Sequence, residues 1–223
     1  MKSTITTFCI SLGIALTISA QDGRYNPPTA YIQNTASGNI NVPVNVLGSP
    51  YLDEEFKLGT VLVKDDDSYT AYMRYNAFHD EIEMQENNKA VSLIKRDYVA
   101  AKLNGMLYKI IAYDSENGIQ KGYAAVLKEG ATSFYLKQQV VLREAKEATS
   151  SYSKGQPPKF EREDFYLLGI GDAKPVEIKL NKKSVLDQLS TKRKAVEKYV
   201  KEYKLKLKSE AEVLQLLDYY ENL

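Results

Sequence analysis

The chain has 223 residues, with 30 Lys and Arg against 29 Asp and Glu, one His, one Cys and no Trp. It is short for two ordinary enzyme domains, and 43 % hydrophobic with 26 % charged residues is a globular rather than a disordered composition. The net charge of +1 gives no overall attraction to nucleic acid. One Cys and one His also exclude a tetrahedral zinc site built from Cys and His ligands.

The first twenty residues have the pattern of a secretory signal peptide. Lys2 gives a positive start, residues 8–18 form an apolar run, and two small residues precede a cut ahead of Gln21. The run is shorter than the roughly 20 apolar residues of a bilayer-spanning helix. Cys9 lies early in the run and not directly after the cut, so we expect a cysteine-free mature chain that is not a lipoprotein. We therefore expect a periplasmic or secreted protein without a transmembrane span.

Residues 21–50 hold four of the seven prolines and predict an extended N-terminal arm. Residues 40–46 alternate strictly, and Pro43 confines such a strand to a sheet edge. The remaining residues, 51–223, are expected to form a single β-rich domain that ends in helices over 184–223.

The body of this domain is predicted as a run of strands. Alternation and turn composition indicate the following segments: 56–64, 69–76, 81–85, 90–94, 98–103, 106–113, 121–128, 133–143, 164–170 and 176–180. Asn104-Gly105 is the strongest hairpin signal, residues 114–118 predict a longer turn, and residues 146–159 predict a loop. Strands that recur every 10–14 residues with turns between them favour an antiparallel meander of about nine to eleven strands.

From Ser184 the apolar period changes from 2 to 3.6. Ser184 with Asp187 predicts the cap of a short helix through Leu189. A second helix follows from the spacing of Val196, Tyr199, Val200 and Tyr203. Ser209 and Glu212 form a capping box before a third apolar face, which consists of Val213, Leu216, Leu217 and Tyr220. The fold class is therefore α+β and mainly β, a sandwich or partly closed barrel with two or three C-terminal helices packed on it.

Basic residues are concentrated near the C-terminus. Residues 174–208 carry 12 Lys and Arg against four acids, while residues 209–223 carry four acids and no base. Lys192, Arg193 and Lys194 are candidate binding residues for an envelope protein or an anionic membrane surface. The alternative is an ordinary solvated helix face, because the basic residues lie off the apolar stripe.

Candidate catalytic groups each have a simpler structural interpretation. His79 is predicted in a loop, where Asp80 is only a chain neighbour and no nucleophile motif accompanies it. The acids at 65–67 and 114–118 are interpreted as solvated turns. Two pairs of carboxylates lie two residues apart, Glu81 with Glu83 and Glu161 with Glu163. We interpret both pairs as solvent-facing neighbours on a strand. Residues 169–174 imitate half a phosphate loop, but another strand follows them, so no helix N-terminus is predicted there to hold a phosphate. We expect no catalytic residue, no metal site and no cofactor.

Several short segments of the chain are considered together. They are Gly48-Ser49-Pro50-Tyr51-Leu52 with Phe56 and Gly59, Arg74-Tyr75-Asn76, Phe165-Tyr166-Leu167, Lys182-Lys183 with Val185-Leu186, and Asp218-Tyr219-Tyr220 with Asn222-Leu223. As a set they resemble a family of exported, β-rich bacterial proteins of unknown function. The resemblance implies a periplasmic or secreted protein of Gram-negative bacteria with a β-rich body and a helical C-terminus. It implies no activity. Within it, Arg74-Tyr75-Asn76 is the candidate for a shared binding site.

These observations predict an exported, non-enzymatic binding or structural protein of the bacterial cell envelope with no nucleic-acid partner. Two alternatives remain open. One is a periplasmic carrier that holds a lipid or an acylated partner in an apolar groove. The other is an envelope hydrolase.

Overall fold

The structure is a computed structural model that describes residues 32–33, 43, 45–65, 68–147 and 155–223. The predicted signal peptide, residues 1–20, lies outside the described residues, as does most of the predicted arm. Of the predicted edge strand at 40–46, only Pro43, Asn45 and Val46 are described, and none of them is in a strand.

The described residues contain thirteen strands and three C-terminal α-helices. The strands are β1 (Ile32–Gln33), β2 (Lys57–Val63), β3 (Tyr69–Asn76), β4 (Glu81–Glu86), β5 (Lys89–Leu93), β6 (Val99–Leu103), β7 (Met106–Ser115), β8 (Gly118–Lys128), β9 (Thr132–Lys137), β10 (Val140–Arg143), β11 (Lys159–Arg162), β12 (Phe165–Ile170) and β13 (Val176–Ile178). The helices are α1 (Lys182–Gln188), α2 (Arg193–Glu202) and α3 (Glu210–Glu221). The predicted class, α+β and mainly β, is confirmed.

Eleven strands form one sheet that partly closes on itself. Their order is β1-β5-β4-β3-β2-β6-β7-β13-β12-β9-β8, and β7 also pairs with β8. The strands β7, β8, β9, β12 and β13 therefore form a closed five-strand ring, to which the other strands attach through β6. Its seam is short: Val176 pairs in parallel with Asp114, whose N–H donates to the Pro175 carbonyl at 2.9 Å. The other pairings in this sheet are antiparallel, as the meander predicted.

Alternation along the ring strands separates two apolar cores. Tyr113, Ala124, Tyr135 and Leu167 come from four different ring strands and pack together inside the ring. Their chain neighbours Phe134 and Leu168 point the opposite way, because successive side chains of a strand lie on opposite faces. On that outer face they pack against buried residues of the three helices. The ring is therefore filled by side chains within and covered by helices on one outer flank.

A third and larger core joins the strands outside the ring to the ring strands β7, β8 and β9. It includes buried residues of β2 to β9 together with Phe160 of β11. Tyr75 lies at its centre, with ring centroids 5.3 Å from Tyr108 and 6.2 Å from Tyr123. Tyrosine side chains are therefore part of this core, where they pack on the surface of the sheet.

Local turn chemistry explains where the predicted hairpins were right and where they were wrong. Asn104 and Gly105 have φ values of 52° and 79°, the two positive values that a type I′ turn requires. The predicted long turn at 114–118 is wrong, since β7 continues to Ser115 and β8 begins at Gly118. The Ser115 hydroxyl closes this tighter turn by donating to the Gly118 carbonyl at 3.0 Å.

The predicted single strand at 133–143 is two strands. The chain leaves the ring at Gln138, whose side-chain oxygen accepts a 2.6 Å hydrogen bond from Tyr108. Two residues later, the N–H of Val140 donates to the Ala77 carbonyl, and β10 pairs with β11 in a separate two-stranded sheet. Strand β11 was missed because Phe160 is its only apolar residue.

The three helices confirm most of the C-terminal prediction. Helix α1 is capped by Asn181, whose side chain accepts from the N–H of Ser184 at 2.9 Å, so the predicted Ser184 cap is wrong. The capping box of Ser209 and Glu212 is present. Helices α2 and α3 fold back on each other, with Tyr199 and Tyr219 stacked at 3.9 Å between ring centroids. No helix among the described residues is long and apolar enough to cross a bilayer.

Replacing Gly59 with alanine is expected to lower the free energy of unfolding by about 1–3 kcal/mol, the usual cost of overpacking. A Cβ at this position would lie 2.7 Å from the Lys102 carbonyl and would also meet the end of Met73. Urea denaturation of Gly59→Ala measures the loss, with Thr60→Ala on the same strand as the control. Equal stability of Gly59→Ala and the unsubstituted protein would contradict the close approach of β2 and β6.

Candidate functional site

The candidate triplet Arg74-Tyr75-Asn76 is divided between the two faces of β3. Arg74 and Asn76 point to one face, and Tyr75 points to the other, into the large core. The three side chains therefore do not form one binding site, but each takes part in a polar cluster.

Arg74 belongs to a cluster that is internally satisfied. Its Nε donates to the fully buried Glu83 carboxylate at 2.8 Å, and its two Nη atoms donate to the Tyr51 hydroxyl at 2.8 Å and the Glu54 carbonyl at 3.1 Å. The guanidinium carbon lies 3.7 Å from the Tyr51 ring centroid and 4.4 Å from that of Phe56. The side chain is only 18 % exposed. Arg74 thus joins the segment before β2 to the sheet and presents little charge to solvent.

Asn76 connects this cluster to the turn between β3 and β4. Its side-chain amide donates to Glu83 at 3.1 Å, and its side-chain oxygen accepts from the backbone N–H of His79 at 3.1 Å. The interpretation of Glu81 and Glu83 as solvent-facing neighbours is wrong for Glu83, which is fully buried. Glu81 accepts from the Ser92 hydroxyl at 3.0 Å.

The basic triplet at the start of α2 is also dispersed. Lys192 lies over the Tyr220 ring at 5.1 Å and donates to the Tyr220 carbonyl at 3.3 Å. Arg193 bridges Asp187 at 3.1 Å and Glu197 at 2.8 Å. Of the three candidates, Lys194 is exposed and has no ion pair within the described part of the chain.

Another set of lysines surrounds a groove beside the triplet. The basic groove has a volume of about 550 Å³ and lies between α1, α2 and the connection to α3. Its lining consists of Lys182, Leu186, Glu197, Val200, Lys201, Lys204 and Lys206. The side chains of Leu186 and Val200 are buried beneath it, so the groove has an apolar floor and four ammonium groups around it.

A more polar cavity opens at one end of the five-strand ring. This ring cleft has a volume of about 340 Å³. Ring strands supply Tyr113, Gly122, Lys137, Phe165 and Glu177, and the turn between β3 and β4 lies against them through residues 77–80. The antiparallel order of the ring brings the end of β7, the end of β9 and the start of β12 to this one mouth.

Asp80 is the hydrogen-bonding centre of the ring cleft. Its carboxylate accepts from the Tyr75 hydroxyl at 2.6 Å, from the Tyr123 N–H at 3.2 Å and from the Lys137 ammonium group, while Lys95 lies at 3.5 Å. The backbone of Asp80 has a φ of 57°, a region that non-glycine residues seldom adopt. Strain of this kind persists where surrounding contacts fix the residue.

Gly122 makes room for this carboxylate. A Cβ at Gly122 would lie 3.1 Å from the Lys137 ammonium nitrogen and would collide with the Asp80 carboxylate. Glycine is required at position 122 because the Asp80 carboxylate approaches the backbone closely, and not because of an unusual φ.

Lys137 is the most buried cation of the ring cleft, with a side chain 6 % exposed. Burial lowers the pKa of its ammonium group, and the neighbouring Asp80 carboxylate opposes that shift. The pKa of Tyr75 lies well above its ordinary value because of burial and the charge of Asp80. Tyr75 therefore stays protonated, donates to Asp80 and accepts from Lys137 at 3.3 Å.

His79 adds an unsatisfied group to the same cleft. Its Nδ1 atom is buried and has no hydrogen-bond partner among the described residues. The imidazole of His79 packs on the phenyl ring of Phe78, with 4.9 Å between the two ring centroids. The prediction that His79 lies in a loop is confirmed, since residues 77–80 form the turn. Unpartnered buried nitrogens are uncommon, and a ligand or water is the usual partner.

Sequence reasoning missed most of the ring cleft. Lys137 is 57 residues from Asp80, and Tyr123 is 43 residues from it. Neither has a local motif around it. One available signal was Lys137 directly after the apolar residues 134–136, but a lysine at the end of a strand is also typical of a solvated position.

The remaining acidic candidates have structural partners or lie outside the described residues. Glu161 and Glu163 both pair with Arg143. Of the acids at 65–67, only Asp65 is described. Across the described ranges, no group of three or more His, Cys, Asp or Glu side chains is placed to hold a metal ion.

Comparisons with protein-family models, curated proteins and solved structures found no significant match to the chain. The resemblance to exported β-rich proteins therefore stays a prediction from short segments.

Replacing Arg74 with methionine is expected to lower the free energy of unfolding by about 3–5 kcal/mol, because Glu83 would be left as an uncompensated buried charge. The double variant Arg74→Met/Glu83→Gln is expected to recover part of that loss. Chemical denaturation of both variants and of Glu83→Gln measures the coupling. A stable Arg74→Met protein would show that the cluster does not hold β3, β4 and the preceding segment together.

Proposed function

We propose that the protein is an exported, non-enzymatic binding protein that holds a small anionic ligand in the ring cleft. The supporting observation is that two ammonium groups, Lys95 and Lys137, share the single carboxylate of Asp80 beside this cavity. Among the described residues, neither ammonium group pairs with any other carboxylate, so the two cations have one ion-pair partner between them. An anionic ligand would supply a second partner.

The hydrogen-bonding capacity of the site leads to the same proposal. Asp80 already accepts from Tyr75, Tyr123 and Lys137, so little of its capacity remains for a ligand. The Lys137 ammonium group has three N–H donors and uses two, on Asp80 and Tyr75. Its third N–H is available to a carboxylate or phosphate oxygen.

The size and lining suit a small molecule. A volume of about 340 Å³ lies near the lower end of the usual range for ligand pockets. Apolar contact is offered by Phe78, Tyr113 and Phe165, and hydrogen bonds are offered by Ser115, Asn117, Gln120 and Gln139. The filled interior of the five-strand ring gives less support to the alternative of a lipid carrier with its cavity there.

Replacing Lys137 with methionine is expected to weaken anion binding by about tenfold or more, since a hydrogen bond to a charged group contributes about 1.5–3 kcal/mol. NMR titrations with acetate, succinate, sulfate and inorganic phosphate measure the affinity. The matched control is Lys102→Met, an exposed lysine on β6. The milder variant Lys121→Met, at the rim of the ring cleft, is expected to weaken binding less. Unchanged affinity in both cleft variants would contradict the proposal.

Anion affinity is expected to fall as pH rises through the pKa of Lys137. The protonated amine binds the anion, and burial lowers its pKa from the ordinary lysine value of 10.5, so the loss occurs below that value. Titrations between pH 7 and the alkaline limit of the fold follow the change, and Lys137→Met is expected to lack it. An anion affinity that stays constant up to the ordinary lysine pKa of 10.5 would argue against a role for the Lys137 amine.

A second candidate function is adsorption to an anionic membrane surface through the basic groove. It is favoured by the position of Lys182, Lys201, Lys204 and Lys206, which together surround one concave surface. None of these four lysines makes an ion pair with a described residue. Each lysine near an anionic bilayer contributes roughly 1 kcal/mol of attraction. This set replaces Lys192 and Arg193, whose charges are engaged within the protein.

The double variant Lys201→Glu/Lys204→Glu is expected to abolish sedimentation with phosphatidylglycerol vesicles at low salt, because it reverses two charges in the groove. Phosphatidylcholine vesicles are expected to bind neither protein. The charge-matched control is Lys89→Glu/Lys102→Glu, which changes two exposed lysines on the sheet. Equal loss in both double variants would indicate attraction by overall charge and not by the groove.

A further inference from the structure

One carboxylate of the ring cleft has no charged partner among the described residues. Glu177 lines the cleft and makes no ion pair with any residue that the structure describes. It belongs to β13, where it pairs directly with Leu167 of β12. Directly paired residues of antiparallel strands present their side chains on the same face. Because Leu167 packs inside the ring, Glu177 also points to the inner face, at the mouth.

Tyr113 and Phe165 line the same cavity as this carboxylate and Asp80. Their ring centroids are 5.9 Å apart, and both side chains line the cleft. Strand register places Phe165 beside both charges, because it pairs directly with Lys137, and Leu167, two residues further on, pairs with Glu177. The cleft thus has a cationic side at Lys137 and an anionic side at Glu177, with aromatic surface between them.

The two sides differ in what they offer a ligand. At the cationic side, Lys137 has a third N–H besides the two that it donates to Asp80 and Tyr75. At the anionic side, both oxygens of Glu177 are available, and the faces of Tyr113 and Phe165 favour a neighbouring cation. A purely anionic ligand would satisfy the first side and be repelled by the second.

We infer that the ligand is an amino acid, with its carboxylate at Lys137 and its ammonium group at Glu177. This inference rests on the proposed anion-binding function and adds an acidic subsite to it. The subsite gives selectivity, because a carboxylic acid without the amino group would leave Glu177 unpaired and facing like charge.

The inference is tested by NMR titration with four matched pairs of ligands: glycine and acetate, β-alanine and propionate, 4-aminobutyrate and butyrate, and 5-aminovalerate and valerate. At least one amino acid is expected to bind about threefold to tenfold more tightly than its partner without the amino group, in keeping with a partly exposed ion pair. The pair with the largest ratio reports the spacing between the two subsites.

The variant Glu177→Gln is expected to remove this preference and to leave the affinity for the simple carboxylates equal or higher. Glu177 is exposed, so the substitution does not disturb a core. The matched control is Glu116→Gln, an exposed acid in the neighbouring turn that does not line the ring cleft.

The outcomes distinguish the two proposals. Simple carboxylates that bind as tightly as the amino acids, or a preference that survives in Glu177→Gln, would overturn the amino-acid inference alone. Failure of both ligand series to bind, together with failure of phosphate and sulfate, would overturn the anion-binding function as well.

Discussion

The carboxylate of Asp80 joins parts of the fold that are distant in sequence. It lies in the turn between β3 and β4 and holds Lys137 of β9 and the Tyr123 N–H of β8. Without it, Lys137 would be a buried cation with no carboxylate partner, which is strongly destabilising. The same contact places the turn, and with it His79, against the mouth of the five-strand ring. Structure and candidate site therefore depend on one ion pair.

The ring explains why a cavity exists at this place. Closure through a short parallel seam between β7 and β13 brings several strand ends to one mouth. The interior is filled by Tyr113, Tyr135 and Leu167, so space remains only at the end. The helices cover the outer flank through an independent core and leave the mouth accessible. The polar side chains of the candidate site therefore lie at the rim of the ring, where they meet water.

Arg74 and Lys137 are both enclosed cations on strands, but their surroundings differ. Arg74 has three protein acceptors and two aromatic neighbours, so its charge is used in holding the sheet. Lys137 is more buried, yet it shares its carboxylate with Lys95 and retains a free donor. The number of acceptors around a cation, and not its exposure, separates the structural cluster from the candidate site.

The sequence by itself determined the features that depend on neighbouring residues. Alternation predicted the extent of β3, Asn104-Gly105 predicted a tight hairpin, and Ser209 with Glu212 predicted the start of α3. These depend on backbone preferences and on apolar period, which are local properties. Only the tertiary structure decided that Lys137 and Gly122 meet Asp80, that Glu177 faces inward and that Arg74 is enclosed. Such contacts depend on strand register and on the curvature that closes the ring, and the same local pattern is compatible with many registers.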